Sequence, residues 1–153
     1  MKKLVKVTAL ILLVACACTL FCGCAPTVGE KGKVSFIVLV DGVSANFETE
    51  FDTTNTDMVT LEDLMKYLQE NNENFFYSES GGMVYSVLGV TADSASREFW
   101  AIYTDCEIDG VPYFDNTWGT TTVRGKTLGS ATKGIQELPL QKGATYVLEK
   151  SNW

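Results

Sequence analysis

Apolar and polar positions along this chain change rhythm several times. Residues 7–21 are an almost unbroken apolar run behind Lys2, Lys3 and Lys6. Residues 34–40 are a dense strand-like run. Asp41-Gly42 follows as a strong hairpin signal, and residues 44–51 then alternate, with Phe47 and Phe51 on one face. After a polar loop the period changes. Leu61, Leu64, Met65 and Leu68 form a helical stripe, Thr60 stands at its N-cap, and Asp63 occupies the capping-box position. Asn71-Asn72 ends that helix. Two further strand pairs follow, turning at Gly81-Gly82 and Asp109-Gly110, and residues 144–150 read as a closing strand. The Thr- and Gly-rich residues 115–133 are compatible with either a loop or another pair of short twisted strands. The order strand, strand, helix, strands predicts an α+β fold: a mixed sheet packed on one helix, with an extended hairpin near residues 101–125.

The leading apolar run changes the picture of where the chain works. It carries Cys16, Cys18, Cys22 and Cys24, four of the five cysteines. A disulfide knot lacks well-spaced partners there. A metal knuckle lacks histidine, of which the chain has none, and lacks turn residues. A basic start, an apolar core of signal-peptide length and "LFCGC" instead match a bacterial lipobox, with cleavage before a lipidated Cys24. Cys16 fits the local pattern too. Cleavage there would leave a short apolar core interrupted by Lys6, with apolar Leu20 and Phe21 on the mature end. Read without cleavage, the same run is nearly long enough to span a membrane. The expected division is a signal peptide at 1–23, a lipid-anchored linker at 24–32 and a domain at 33–153. The expected location is the extracytoplasmic face of the cell membrane.

Cleavage before Cys24 removes 23 of the 153 residues and leaves 130, one domain of ordinary size. It also removes three lysines and takes the net charge from −7 to −10. Such a chain repels phosphate backbones, so nucleic acid is not an expected partner. One cysteine, Cys106, remains in the domain, so core packing rather than disulfides must hold the fold; it is expected buried or half-buried in a strand.

Three stretches, "TLEDLM", "NFFYSESGGMVYSVLGVTADSASREFWAIY" and "KGIQELPLQKGATYVLE", resemble one family. It is the small C-terminal β-domain of transcobalamin and intrinsic factor, with the related bacterial domain of unknown function carried by secreted Gram-positive proteins. The recurring features stand here as Leu61, Leu64, Phe76, Tyr77, Gly82, Ser86, Val87, Gly89, Trp100, Gly134, Ile135, Gly143, Tyr146 and Leu148. The resemblance implies a β-grasp fold and a core role for Trp100. It also implies a ligand or partner contact at "SVLGV", where Ser86 offers a hydroxyl, beside Leu88, and Gly89 permits close backbone approach. The family's large helical barrel is missing, and the stretch between Trp100 and Gly134 is longer than the family's.

Within that longer stretch Tyr113 and Trp118 are candidates for stacking on a flat ligand such as a sugar or a corrin ring. "DCEIDG" begins like a calcium loop, with Asp105, Glu107 and Asp109 expected on one strand face, but Pro112 lies inside the loop and Asn116 holds the position where a bidentate glutamate is needed. Absence of histidine removes the Ser-His-Asp and Cys-His sets, and no GxSxG, P-loop or Rossmann fingerprint occurs. The expectation is a binding module and not an enzyme. Its ligand would be a corrinoid or other small molecule taken up beside a barrel-bearing or transporter partner. The alternative is a surface module that binds a protein or a glycan.

Overall fold

The structure, a computed structural model, describes residues 31–52, 54 and 58–152. The proposed signal peptide, Cys24 and residues 25–30 of the expected linker lie outside the described residues. Lys31 and Gly32, expected at the end of that linker, instead open the first strand.

Strands β1 (Lys31–Val40) and β2 (Val43–Asp52) form a hairpin. Its turn places Asp41 at φ 49° and Gly42 at φ 81°, the left-handed pair that an Asp-Gly dipeptide accepts readily. Helix α1 (Leu61–Asn71) starts on the expected capping box. Thr60 Oγ1 accepts from Asp63 N at 3.3 Å, and Asp63 Oδ2 accepts from Thr60 N at 2.8 Å and Val59 N at 3.0 Å. Strands β3 (Tyr77–Ser80), β4 (Met83–Val87) and β5 (Val90–Thr91) form a small antiparallel sheet. The chain continues through β6 (Glu98–Thr104), the short pair β7 (Glu107–Ile108) and β8 (Val111–Pro112), then β9 (Phe114–Val123), β10 (Lys126–Ala131) and β11 (Thr145–Asn152). Residues 115–133 are thus mostly strand.

The main sheet has six strands in the order β2-β1-β11-β6-β10-β9. β1 and β11 pair in parallel; the other neighbours are antiparallel. The result is a mixed α+β architecture, mostly sheet with one helix. Strand alternation sends successive side chains to opposite faces. On one face Val34, Phe36, Val38, Tyr146 and Leu148 meet Leu61, Leu64, Met65 and Leu68 of α1. Phe75 closes this layer edge-on, with its ring centroid 5.7 Å from Phe36 and 5.2 Å from Phe47. Each large side chain buried here stabilises the fold by about 1.5–3 kcal/mol. The intervening residues Ile37 and Val147 lie on the opposite face, where Val123 and Leu128 pack against them. The tip of the β9–β10 hairpin reaches across that face, and Arg124 Nη1 stands 3.8 Å from Glu48 Oε1 on β2. No helix among the described residues is long and apolar enough to cross a membrane.

Candidate functional site

The family-implied contact segment ends β4. After Val87 the chain turns through Leu88 at φ 53° and Gly89 at φ 79° before entering β5. Leucine seldom adopts this left-handed conformation, which costs about 1–2 kcal/mol. The turn is held because Leu88 N donates to Phe76 O at 2.9 Å and the Leu88 side chain packs on the main core. A Cβ on Gly89 would stand 3.4 Å from the Phe76 ring, so the backbone lies directly against that aromatic. Phe76 itself is about half exposed. Ser86 does not present a lone hydroxyl: its Oγ and Ser78 Oγ are hydrogen-bonded at 2.7 Å.

β4 bulges at Tyr85: Ser78 and Glu79, adjacent on β3, pair with Ser86 and Val84, and the extra residue Tyr85 between them is turned outward. The Tyr85 carbonyl is nonetheless anchored, accepting from Ala92 N at 3.0 Å and Trp100 Nε1 at 3.2 Å. Trp100 is 7% exposed and belongs to the main core, as the resemblance implies. Met83, Tyr85 and Phe76 remain exposed on and beside this small sheet.

Tyr113 is half-buried against the core. Its N donates to Cys106 O and its O accepts from Thr132 N, so it joins β8 to β9 structurally. Trp118, on β9, is 66% exposed. The Leu88-Gly89 turn lies against Phe76, whereas the opposite end of the β3–β4 hairpin, at Gly82, lies against Gln136 and Gly134.

The acidic motif is taken apart by the fold. Asp105 precedes β7 rather than lying in it, so the expected single strand face does not form. Its Oδ1 accepts from Thr145 N at 2.7 Å and its Oδ2 pairs with Lys126. Glu107 is exposed, and Asp109 sits on the β7–β8 turn at φ 53°. Among the described residues no group of acidic, cysteine or histidine side chains has the arrangement to hold a metal ion. Cys106 is fully buried between β6 and β7, outside either strand, and its thiol donates to Pro139 O at 3.6 Å. Beside it Tyr146 donates to Pro139 O at 2.7 Å and accepts from Gln141 N at 2.9 Å, and burial pushes its phenol pKa well up.

A groove that the sequence did not suggest opens where β1, β2, α1 and the turn before β11 meet. Its volume is about 1170 Å³. Phe51, Met58 and Tyr67 supply its apolar surface; Lys31, Lys33, Lys66 and Lys142 alternate with Glu50, Asp52, Asp63 and Glu70 around it. Charges there are largely matched. Lys31 pairs with Asp52 at 2.6 Å and Lys33 with Glu50 at 3.6 Å, while Lys66 pairs with Glu62 at 3.1 Å. The Lys31 ammonium, then Thr54, hold the Asp52 carboxyl below its ordinary pKa. The groove has no signature in linear sequence, because its lining comes from four separated segments.

No protein-family model matches the sequence, and no curated protein matches it. Solved structures do match the fold. Haptocorrin in complex with Cbi aligns over 83% of this chain with a TM-score of 0.55 at 12% identity. This chain covers 26% of the haptocorrin chain, so the likeness concerns about a quarter of that protein. A protein of Ruminococcus gnavus ATCC 29149, for which metal binding has been suggested, aligns over 80% of this chain and 98% of its own, with a TM-score of 0.50 at 17% identity. At these identities the shared property is the fold.

Proposed function

We propose that this chain is an extracytoplasmic binding module, tethered to the membrane by a lipidated Cys24, that takes a corrinoid or another small flat ligand for uptake. The observation that carries the reading is the fold likeness to haptocorrin in complex with Cbi over most of the chain. The parallel β1–β11 pair, flanked by the β1–β2 hairpin and covered by α1, supports a β-grasp assignment. On this reading the strained Leu88-Gly89 turn, Ser86 and the exposed Phe76 offer one wall of a site. A barrel-bearing or transporter partner supplies the other, since the chain matches only a quarter of haptocorrin. Backbone strain at Leu88 fits such a role, because strained conformations gather where a ligand is gripped.

The test is titration of the purified chain with cobalamin and related corrinoids, followed by calorimetry and by the ligand's visible spectrum. Saturable binding at micromolar affinity that weakens on Gly89→Val supports the reading. Absence of binding at millimolar ligand removes the corrinoid for the isolated chain.

A second reading, a surface module for a protein or a glycan, is favoured by one observation: Trp118 stands exposed at the edge of the main sheet.

A further inference from the structure

The β9–β10 ladder is broken at one place. Asp115 pairs with Ser130 and Thr120 pairs with Gly129, so Asn116, Thr117, Trp118 and Gly119 have no partners across a single step of β10. This four-residue bulge is built rather than loose. Asp115 Oδ1 accepts from both Thr117 N and Thr117 Oγ1, each at 2.7 Å. Those two bonds hold the Asp115 carboxyl below its ordinary pKa. Gly119, at φ 135°, takes a conformation that L side chains rarely adopt, and it lies over the Tyr103 ring. Beneath the bulge, Gly129 is required. A Cβ there would stand 2.5 Å from Asn116 Oδ1 and 2.7 Å from the Phe114 ring.

All of this fixes a knuckle whose most prominent side chain is an exposed tryptophan. Solvent-facing tryptophan forgoes a large burial gain, and tryptophan is enriched where a protein meets a partner or ligand. The neighbours say which contact. They are a carboxylate, an amide and hydroxyls: Asp115, Asn116, Thr117 and Thr120. A flat indole beside a carboxylate, an amide and hydroxyls matches the apolar face and the rim hydroxyls of a pyranose ring.

Other occupants fit less well. A strand added to the edge would need a continuous ladder, and the bulge interrupts it. A nucleic acid or an anionic lipid surface is repelled by a chain of net charge −7. A corrin ring needs enclosure, and Trp118 stands on a rim away from the groove.

We infer that the Asp115–Thr120 bulge is a carbohydrate contact, in which Trp118 stacks on a sugar ring of a neutral polysaccharide and Asp115, Asn116 and Thr117 hydrogen-bond its hydroxyls. This deepens the second reading above and is independent of the corrinoid one.

The test is electrophoresis of the purified chain in native gels containing β-glucan, galactomannan or arabinoxylan, with titration of tryptophan fluorescence by the polymer that retards it. Retardation in at least one gel, with a blue-shifted emission, is expected. Trp118→Ala should lower affinity roughly tenfold or more, and Trp118→Tyr should retain part of it. Asp115→Ala, which leaves the ring in place but unlocks the bulge, should weaken binding severalfold. An unchanged thermal midpoint for Trp118→Ala shows that the loss is not unfolding. Absence of retardation in every gel overturns the inference, as does retardation that Trp118→Ala leaves intact. Capture of a surface protein equally by wild type and Trp118→Ala, without glycan binding, overturns it while leaving the broader interaction reading in place.

Discussion

The indole Nε1 of Trp100 donates to the carbonyl oxygen of Tyr85 at 3.2 Å, and that bond ties the small sheet to the main one. It anchors the point where β4 bulges, so the outward pose of Tyr85 depends on a buried ring fifteen residues away. Trp100→Phe keeps most of the packing and removes the bond. It should cost about 1 kcal/mol, and Trp100→Ala about 3–5 kcal/mol. Urea unfolding, read as a lower midpoint at unchanged slope, checks both.

Leu128 tests whether the β9–β10 hairpin is part of the fold or an appendage. It is 1% exposed, in the outer cluster with Ile37, Val123 and Val147. Leu128→Ala should destabilise by about 2–5 kcal/mol. Arg124→Ala, which removes only the exposed pair with Glu48, should change stability by about 0–1 kcal/mol. The two midpoints from one thermal series separate packing from charge at the same hairpin.

Asp105 is a structural acceptor. Asp105→Ala should cost about 1–3 kcal/mol, because Thr145 N loses its partner at the start of β11. Calcium at millimolar concentration should leave the wild-type thermal midpoint unchanged, since Lys126 and Thr145 already occupy the carboxylate. A calcium-dependent rise would mean that the three acidic residues can converge.

Alkaline pH should unfold the chain by linkage through its tyrosines. Burial, then the Glu62 charge, raises the Tyr77 pKa to about 12, and burial raises Tyr103 and Tyr146 as well. The unfolded chain releases these protons near pH 10, whereas the native state keeps them. The native state therefore binds more protons above that point, and stability falls as pH rises. For Tyr77 the loss accrues between about pH 10 and 12. Denaturant midpoints across pH 8–12 check the slope. Tyr146→Phe should lower stability by about 1–3 kcal/mol at neutral pH, because Pro139 O and Gln141 N both lose the hydroxyl.

Local chemistry made much of the fold legible. Asp41-Gly42, Gly81-Gly82 and Asp109-Gly110 turn where their dipeptides say they should, and Thr60 and Asp63 cap α1 as expected. These signals are short-range, so linear sequence carries them. The site was less legible. The bulge at Trp118 depends on Gly129, which meets it only once β10 folds back. In linear sequence Ser86 offers an available hydroxyl, yet its partner Ser78 arrives across a strand pair. Alternation alone puts Asp105, Glu107 and Asp109 on one face, but β7 spans only Glu107–Ile108, so Asp105 and Asp109 lie outside it. The groove is lined from segments that only the assembled sheet brings together, and no period in the sequence marks it.

The parallel pairing of β1 with β11 also sets a clock. Phe36 lies beside Tyr146, more than a hundred residues along the chain, so β1 emerges early and waits for its inner neighbour. Until β11 is made, the β1–β2 hairpin carries an open edge and α1 has only part of its platform. High sequence separation of this kind slows folding into the millisecond-to-second range. A chain that ends before Thr145 therefore lacks the strand that joins β1 to β6, and its two halves of the main sheet have no ladder between them.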